Sequence, residues 1–277
     1  QKADREEKYD LGRGNLLRVY LIKHRDDLYT CLFSNHHAIL DGWSTQILLK
    51  FIHDTYTKLS ANAKYLETKD HSYKHAQKYL QDNEDGSTAY WEEYVARISE
   101  KNDLSFLLKD TCRTTQTSDY NHIIDPQEEV IVITDEIFKD LQELSRRNGV
   151  TLNAILQYTW HKVLSVYCNT NMTVVGATVS GRNIPIDDID KSVGLFINTL
   201  PLIVEHNIEK KKKNVLELIQ EVQEKIHAIN SCSQVSLNKL QKDGERLFNN
   251  LFMYENFPIS TDELKTSDLG IIIKEEI

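Results

Sequence analysis

His36 and His37 stand side by side at the end of an apolar run, and Asp41-Gly42 follows after three intervening residues, within SNHHAILDGWS at residues 34–44. Imidazole gains and loses a proton near neutrality, so such a pair suits proton transfer in acyl-transfer chemistry. A strand-to-helix junction holds a side chain rigidly at the end of a sheet, and the amides that open the helix can face a developing negative charge. Plainer readings fit the same residues. One histidine can be a core residue with satisfied nitrogens, Asp41 can be a helix cap, and Gly42 can serve the turn. Neighbouring strand residues point to opposite sides, so only one histidine faces a given site. A metal ion would need further ligands, and no His or Cys cluster supplies them, so no metal is expected.

The flanking elements fit such a junction. Leu16–Lys23 and Leu28–Phe33 read as strands joined by a hairpin turn at His24–Asp27, and the second strand leads into the histidines. From Trp43 the period changes, and Trp43, Ile47, Leu48, Phe51, Ile52 and Leu59 fall on one helical face. Helices are predicted at Tyr73–Gln81 and Ser87–Ile98, and the polar stretch from Asp110 to Tyr120 is the expected crossover between two lobes.

Beyond it come a strand at Glu129–Ile133 and a helix from Asp135 that stops at Asn148-Gly149. Thr151 caps the next helix, whose stripe is Leu152, Ile155, Leu156, Val163, Leu164 and Tyr167. Val174–Val179, Leu195–Val204, Leu247–Tyr254 and Gly270–Ile273 read as strands. Val215, Leu218, Ile219, Val222 and Ile226 mark an amphipathic helix. Alternating strands and helices indicate layered α/β lobes.

With 277 residues, 40% apolar and 27% charged, the chain has the make-up of a soluble globular protein with a substantial core. Its net charge of −9 argues against a nucleic-acid partner, and the basic run Lys210–Lys213 reads as a solvated loop. Cys31, Cys112, Cys168 and Cys232 are scattered, as in reduced thiols of a cytoplasmic protein. No apolar stretch is long enough to span a bilayer, and the first residues are too charged for a signal peptide. The chain opens on Gln and is expected to be an excerpt of a longer polypeptide.

SNHHAILDGWS resembles the HHxxxDG signature of the condensation domains of non-ribosomal peptide synthetases, in the chloramphenicol-acetyltransferase-like superfamily. KYDLGRGNLLRVYLIKH, SYKHAQKYL with AYWEEYV, VTLNAILQYTWHKVL with VVGATVSGR, SVGLFINTLPLIV and LFNNLFMYENFP resemble further family segments in family order. Two upstream motifs and the last strands of the family fall outside this chain. Ile203 stands where the family often has an arginine, and Gln234 where an aromatic is common.

The resemblance implies an α/β, chloramphenicol-acetyltransferase-like fold: two lobes in a V-shaped pseudo-dimer with an active-site tunnel between them. Residues 1–115 would be the remainder of the first lobe and 116–277 most of the second. It implies amide-bond formation between a donor acyl or peptidyl thioester and the amine of an acceptor aminoacyl thioester. Donor and acceptor carrier-protein domains would deliver both on phosphopantetheine arms, beside a neighbouring adenylation domain, and this chain would bind no cofactor of its own. His37 would contact the attacking amine, and the amide of Gly42 and hydroxyl of Ser44 would assist the tetrahedral intermediate. His36, Asp41, Trp43 and Ser44 would support the site. Asp41 would pair with an arginine, either outside this chain or Arg182. Ser180, Gly181, Arg182, Asn198 and Asn256 are candidate tunnel or second-lobe contacts, and Ser180-Gly181-Arg182 reads equally as a strand-end turn. Alternative readings are an epimerization domain, against which Gly42-Trp43-Ser44 speaks, a coenzyme-A-dependent acyltransferase, and an inactive truncated module.

Overall fold

The computed structural model describes residues 2–64, 67–99, 101–107, 127–206, 213–241 and 245–255. The chain divides into two compact units, one of residues 1–79, 184–197 and 255–277, the other of 80–183 and 198–254. The expected crossover at 110–120, and with it the lobe boundary near 115, lies outside the described residues, as do the strand at 270–273 and residues 210–212 of the basic run.

In the first unit a short helix α1 (Lys2–Glu6) precedes the hairpin β1 (Leu17–Arg25) and β2 (Leu28–Asn35). The strands pair antiparallel from Leu17↔Asn35 to Arg25↔Leu28, with a register shift between Lys23 and Arg25. The turn is tighter than expected because β1 runs on through Arg25. Lys23 and Arg25 then neutralise the turn residues Asp26 and Asp27, each at 2.6 Å. Helix α2 (Gly42–Ser60) follows, and α3 (Ser72–Asp82) leads on toward the second unit. Ala76, Ile184, Ile189 and Phe196 form a small core here, with Tyr73 edge-on to Phe196 at 5.1 Å. A segment more than a hundred residues downstream thus completes the unit that carries the histidines.

The second unit holds α4 (Thr88–Ala96), α5 (Asp135–Asn148), α6 (Leu152–Tyr167), β3 (Met172–Val179), β4 (Asn198–Glu205), α7 (Val215–Ser231), α8 (Leu237–Leu240) and β5 (Leu251–Phe252). Its sheet has the order β4-β3-β5. β3 pairs antiparallel with β4 from Met172↔Glu205 to Val179↔Asn198, and parallel with β5 at Gly176↔Leu251. The near-continuous burial of β3 and β4 matches their apolar runs, and the buried face of α7, Leu218, Ile219, Val222, Ile226 and Ile229, packs into the same core. Local signals decide the helix ends. Gly149 terminates α5 with φ 64°, Thr151 accepts from the N–H of Ala154 at 3.1 Å, and Asn214 forms a capping box with Glu217 at the start of α7.

Three expectations need correction. Residues 129–133 are irregular rather than a strand, and Val130, Ile131 and Val132 are 74, 91 and 79% exposed. A β-branched run supplies propensity, but a strand needs a partner, and none pairs with it among the described residues. In 247–254 only Leu251 and Phe252 are paired. The buried face of α6 is rotated from the expected stripe: Ala154, Ile155, Gln157, Tyr158, His161, Leu164 and Ser165 are buried, whereas Val163 and Tyr167 are exposed.

The rotation brings polar groups inside. His161 Nδ1 lies 2.7 Å from the Thr173 hydroxyl, and the same oxygen lies 2.8 Å from His206 Nε2. Burial is the main cause that pushes His161 down to about 3, helped by His206 and Lys225. It also pushes His206 down to about 4, helped by Lys162 and Lys225. Both rings are therefore neutral around pH 7, and the hydroxyl between them stands in for water.

Candidate active site

The strand that carries the chain toward the histidines ends at Asn35, so His36 and His37 lie in the turn between β2 and α2. Strand alternation therefore does not decide which ring faces outward. Hydrogen bonds do. The half-buried His36 accepts from the N–H of Ala38 at Nδ1, 3.0 Å away, and stands edge-on to Tyr9 at 5.9 Å. Tyr9 in turn bonds Ser34 through its hydroxyl at 2.7 Å, and Arg18 lies over its ring at 4.1 Å. Arg18 is held by Asp4 of α1 at 2.7 Å. His36 is thus packed into a local support built from α1, β1 and β2.

The His37 ring is exposed, and its Nδ1 lies 2.8 Å from the carbonyl oxygen of Leu40. A carbonyl oxygen only accepts, so Nδ1 carries the hydrogen and the neutral ring keeps its lone pair at Nε2. This arrangement gives a ring fixed at one nitrogen and basic at the other.

Asp41 is 3% exposed, and its two carboxylate oxygens have different tasks. Oδ1 accepts from the N–H of Ser44 at 2.7 Å and caps α2, whereas Oδ2 accepts from the N–H of Phe196 at 2.9 Å. The Ser44 hydroxyl is fully buried and donates to the Gly194 carbonyl at 2.6 Å while accepting from the Gly194 N–H at 3.0 Å. It is committed to the backbone and is not available to an intermediate, contrary to expectation. Trp43 donates from its indole to the Asp190 carbonyl at 3.0 Å. Ser72 donates to the Asp187 carbonyl at 3.0 Å, and the Ser192 hydroxyl to Asp70 at 2.5 Å. Together these bonds clamp residues 187–196 to the start of α2 and to the residues that open α3. Gly42 itself is the first residue of α2, where N–H groups have no partner within the helix and the dipole is positive.

His36, His37, Asp41, Gly42, Trp43 and Ser44 therefore come together in the first unit, joined by Gly194 and Phe196, which the motif alone did not reveal. Ser180, Gly181, Arg182 and Asn198 belong to the second unit. There Gly181 has φ 65° and the Arg182 N–H points at the Ser180 hydroxyl at 3.4 Å, a turn leaving β3. The Asn198 amide donates to the carbonyls of Ser233 and Val235 at 3.1 and 2.7 Å and accepts from the Thr199 N–H at 2.8 Å. Its side chain is engaged in holding that loop on β4. Ile203 is fully buried, and its N–H donates to the Tyr94 hydroxyl at 2.9 Å. Asn256 lies outside the described residues. Among the described residues no three His, Cys, Asp or Glu side chains gather as a metal site would require, and no helix is long and apolar enough to cross a membrane.

The family model described as "Condensation domain" matches residues 1–272. The chain belongs to the condensation domain family. This condensation-domain chain is 42% identical over 267 residues to N-(5-amino-5-carboxypentanoyl)-L-cysteinyl-D-valine synthase of Amycolatopsis lactamdurans, covering 95% of this chain and 7% of the relative. It is 38% identical over 282 residues to the synthase of the same name from Penicillium rubens, covering 99% of this chain and 8% of the relative. It thus spans less than a tenth of the length of these relatives. Among solved structures, the first condensation domain of the calcium-dependent antibiotic synthetase superimposes with a TM-score of 0.65 at 15% identity, covering 91% of this chain and 55% of that one. The chloramphenicol-acetyltransferase-like, mixed α/β fold implied by the sequence is the observed condensation-domain fold.

Proposed function

We propose that this chain takes part in amide-bond formation between two thioesters, with His37 as the group that meets the attacking amine. The supporting observation is the His37 Nδ1–H bond to the Leu40 carbonyl, which leaves a basic Nε2 on an exposed ring. The amine nitrogen of an acceptor aminoacyl thioester attacks the carbonyl carbon of a donor acyl or peptidyl thioester. The C–N bond forms, the C–S bond breaks, and the proton lost by the amine ends on the departing thiolate. An α-amine titrates only about one unit above neutrality, so Nε2 has a modest proton demand to meet. The Gly42 amide, at the positive end of α2, is suited to the oxyanion of the tetrahedral intermediate.

In this reading both thioesters arrive on phosphopantetheine arms of donor and acceptor carrier domains, beside an adenylation domain, in the cytoplasm. The arms are substrate carriers, and the chain supplies orientation and proton handling. Ser180, Gly181 and Arg182 enter as binding residues of the second lobe, and Asn198 as an architectural one. The test is to offer the chain two carrier proteins, one loaded as donor and one as acceptor, and to follow the carrier-bound product by mass spectrometry. Transfer of the donor acyl group onto the acceptor amine is expected. Simple hydrolysis of the donor, with no amide product, would contradict it.

A further inference from the structure

The bonds around Gly194 do more than hold a loop. Ser44 meets both polar backbone groups of Gly194, the Asp41 N–H approaches the same Gly194 carbonyl at 3.4 Å, and Asp41 Oδ2 takes the Phe196 N–H. Asp41 directly follows Leu40, which is 5% exposed and whose carbonyl fixes the His37 ring. A path of hydrogen bonds, its longest link 3.4 Å, therefore runs from Ser44 through Gly194 to the Asp41 N–H, whose peptide unit carries the Leu40 carbonyl that selects the His37 tautomer. Steric fit closes the path from the other side. A Cβ at Gly194 would overlap the Tyr73 ring, whose edge packs on Phe196, so the segment has no room to slide.

The geometry points to Ser44 as a positioning residue for His37, acting through Gly194 and Asp41 on the Leu40 carbonyl. This deepens the proposed function and rests on His37 as the group that meets the amine. Removing the hydroxyl leaves the Gly194 N–H buried without its acceptor, and the carbonyl loses its shortest donor. The segment then shifts, and with it the Asp41 backbone and the Leu40 carbonyl. A ring freed of that carbonyl samples both tautomers, and the nitrogen presented to the amine is basic only part of the time.

The test reads the ring directly. In ¹⁵N-labelled protein, the His37 nitrogens, assigned by their loss in His37→Gln, are expected to show a protonated Nδ1 and an unprotonated Nε2 in the neutral ring. In Ser44→Ala the two shifts should move toward each other. In the transfer assay kcat should fall by about 10- to 10²-fold with KM little changed, since misplacement of a reacting group acts on the chemical step. Trp43→Phe, which removes the indole bond to Asp190 at the outer end of the clamp, should move the shifts the same way by less. A folded Ser44→Ala protein with the parent's His37 shifts would overturn the assignment. Should Ser44→Ala fail to fold, Trp43→Phe decides it on the same signal, and unchanged shifts there overturn it. A parent that makes no amide while the shifts respond as stated counts against the condensation reading and supports the Ser44 assignment.

Discussion

Asp41 Oδ2 accepts the backbone N–H of Phe196 at 2.9 Å, joining residues 155 positions apart, while Oδ1 of the same buried carboxylate caps α2 through Ser44. The aspartate of the motif is therefore a clasp between the histidine turn and a distant segment.

That dual role sets the outcome of substitution. A plain cap tolerates Asn as well as Asp. Here Asn can keep only one of the two bonds, because its NH₂ meets either the Ser44 or the Phe196 N–H, donor against donor. Asp41→Asn should cost about 1–3 kcal/mol, the usual penalty for a buried donor left unmatched, and Asp41→Ala should cost more. Urea unfolding midpoints measure this. An Asn variant as stable as the parent would reduce Asp41 to a cap.

Much of this clasp was invisible in the sequence for a physical reason. The ends of α2, α5 and α6 were legible because caps and stops are local: Asp41, Gly149 and Thr151 act within a few residues of themselves. The motif placed His36, His37 and Asp41 at a strand-to-helix junction, and the junction is there. What Asp41 and Ser44 hold is backbone, and a backbone N–H or carbonyl leaves no side-chain signature at Gly194 or Phe196. The α6 stripe failed differently. Apolar residues alone define it, whereas His161 is buried by virtue of a hydrogen bond to Thr173 that only the packed sheet supplies. At 129–133 composition spoke for a strand, but pairing is a tertiary property.

The buried His161–Thr173–His206 group predicts acid sensitivity. Both rings hold their proton less tightly folded, about 3 and about 4, than in an unfolded chain near 6.5. The unfolded state therefore binds more protons as pH falls below about 6.5, so this contribution is intact above that pH and is lost progressively toward the folded values. At pH 5 His161 alone should remove about 2 kcal/mol. Urea melts at pH 7.5 and 5 test it, with His161→Gln expected to show a shallower decline. A variant that loses stability as steeply as the parent would contradict the assignment.

Gly176 lies in the middle of β3 beneath Phe248, whose ring occupies the space a Cβ would take, and its N–H donates to the Asn250 carbonyl at 2.8 Å. Gly176→Ala must push that ring away and strain the β3–β5 pairing. Overpacking of this kind costs about 1–3 kcal/mol. Pairing Gly176→Ala with Phe248→Leu should recover part of the loss. An alanine variant that melts with the parent would show that the ring moves freely.

The central claim is that His37, and not its neighbour, meets the amine. The most direct measurement is the rate of amide formation between two loaded carrier proteins for the parent, His37→Ala and His36→Ala, with circular dichroism on the same samples. His37→Ala should stay folded and lose about 10²–10⁴ in rate, the usual contribution of a positioned acid-base group. His36→Ala, which removes the acceptor for the Ala38 N–H and the edge contact with Tyr9, should lower the melting temperature and keep most of the rate of the folded fraction. A His37→Ala protein that forms the amide as fast as the parent would contradict the account.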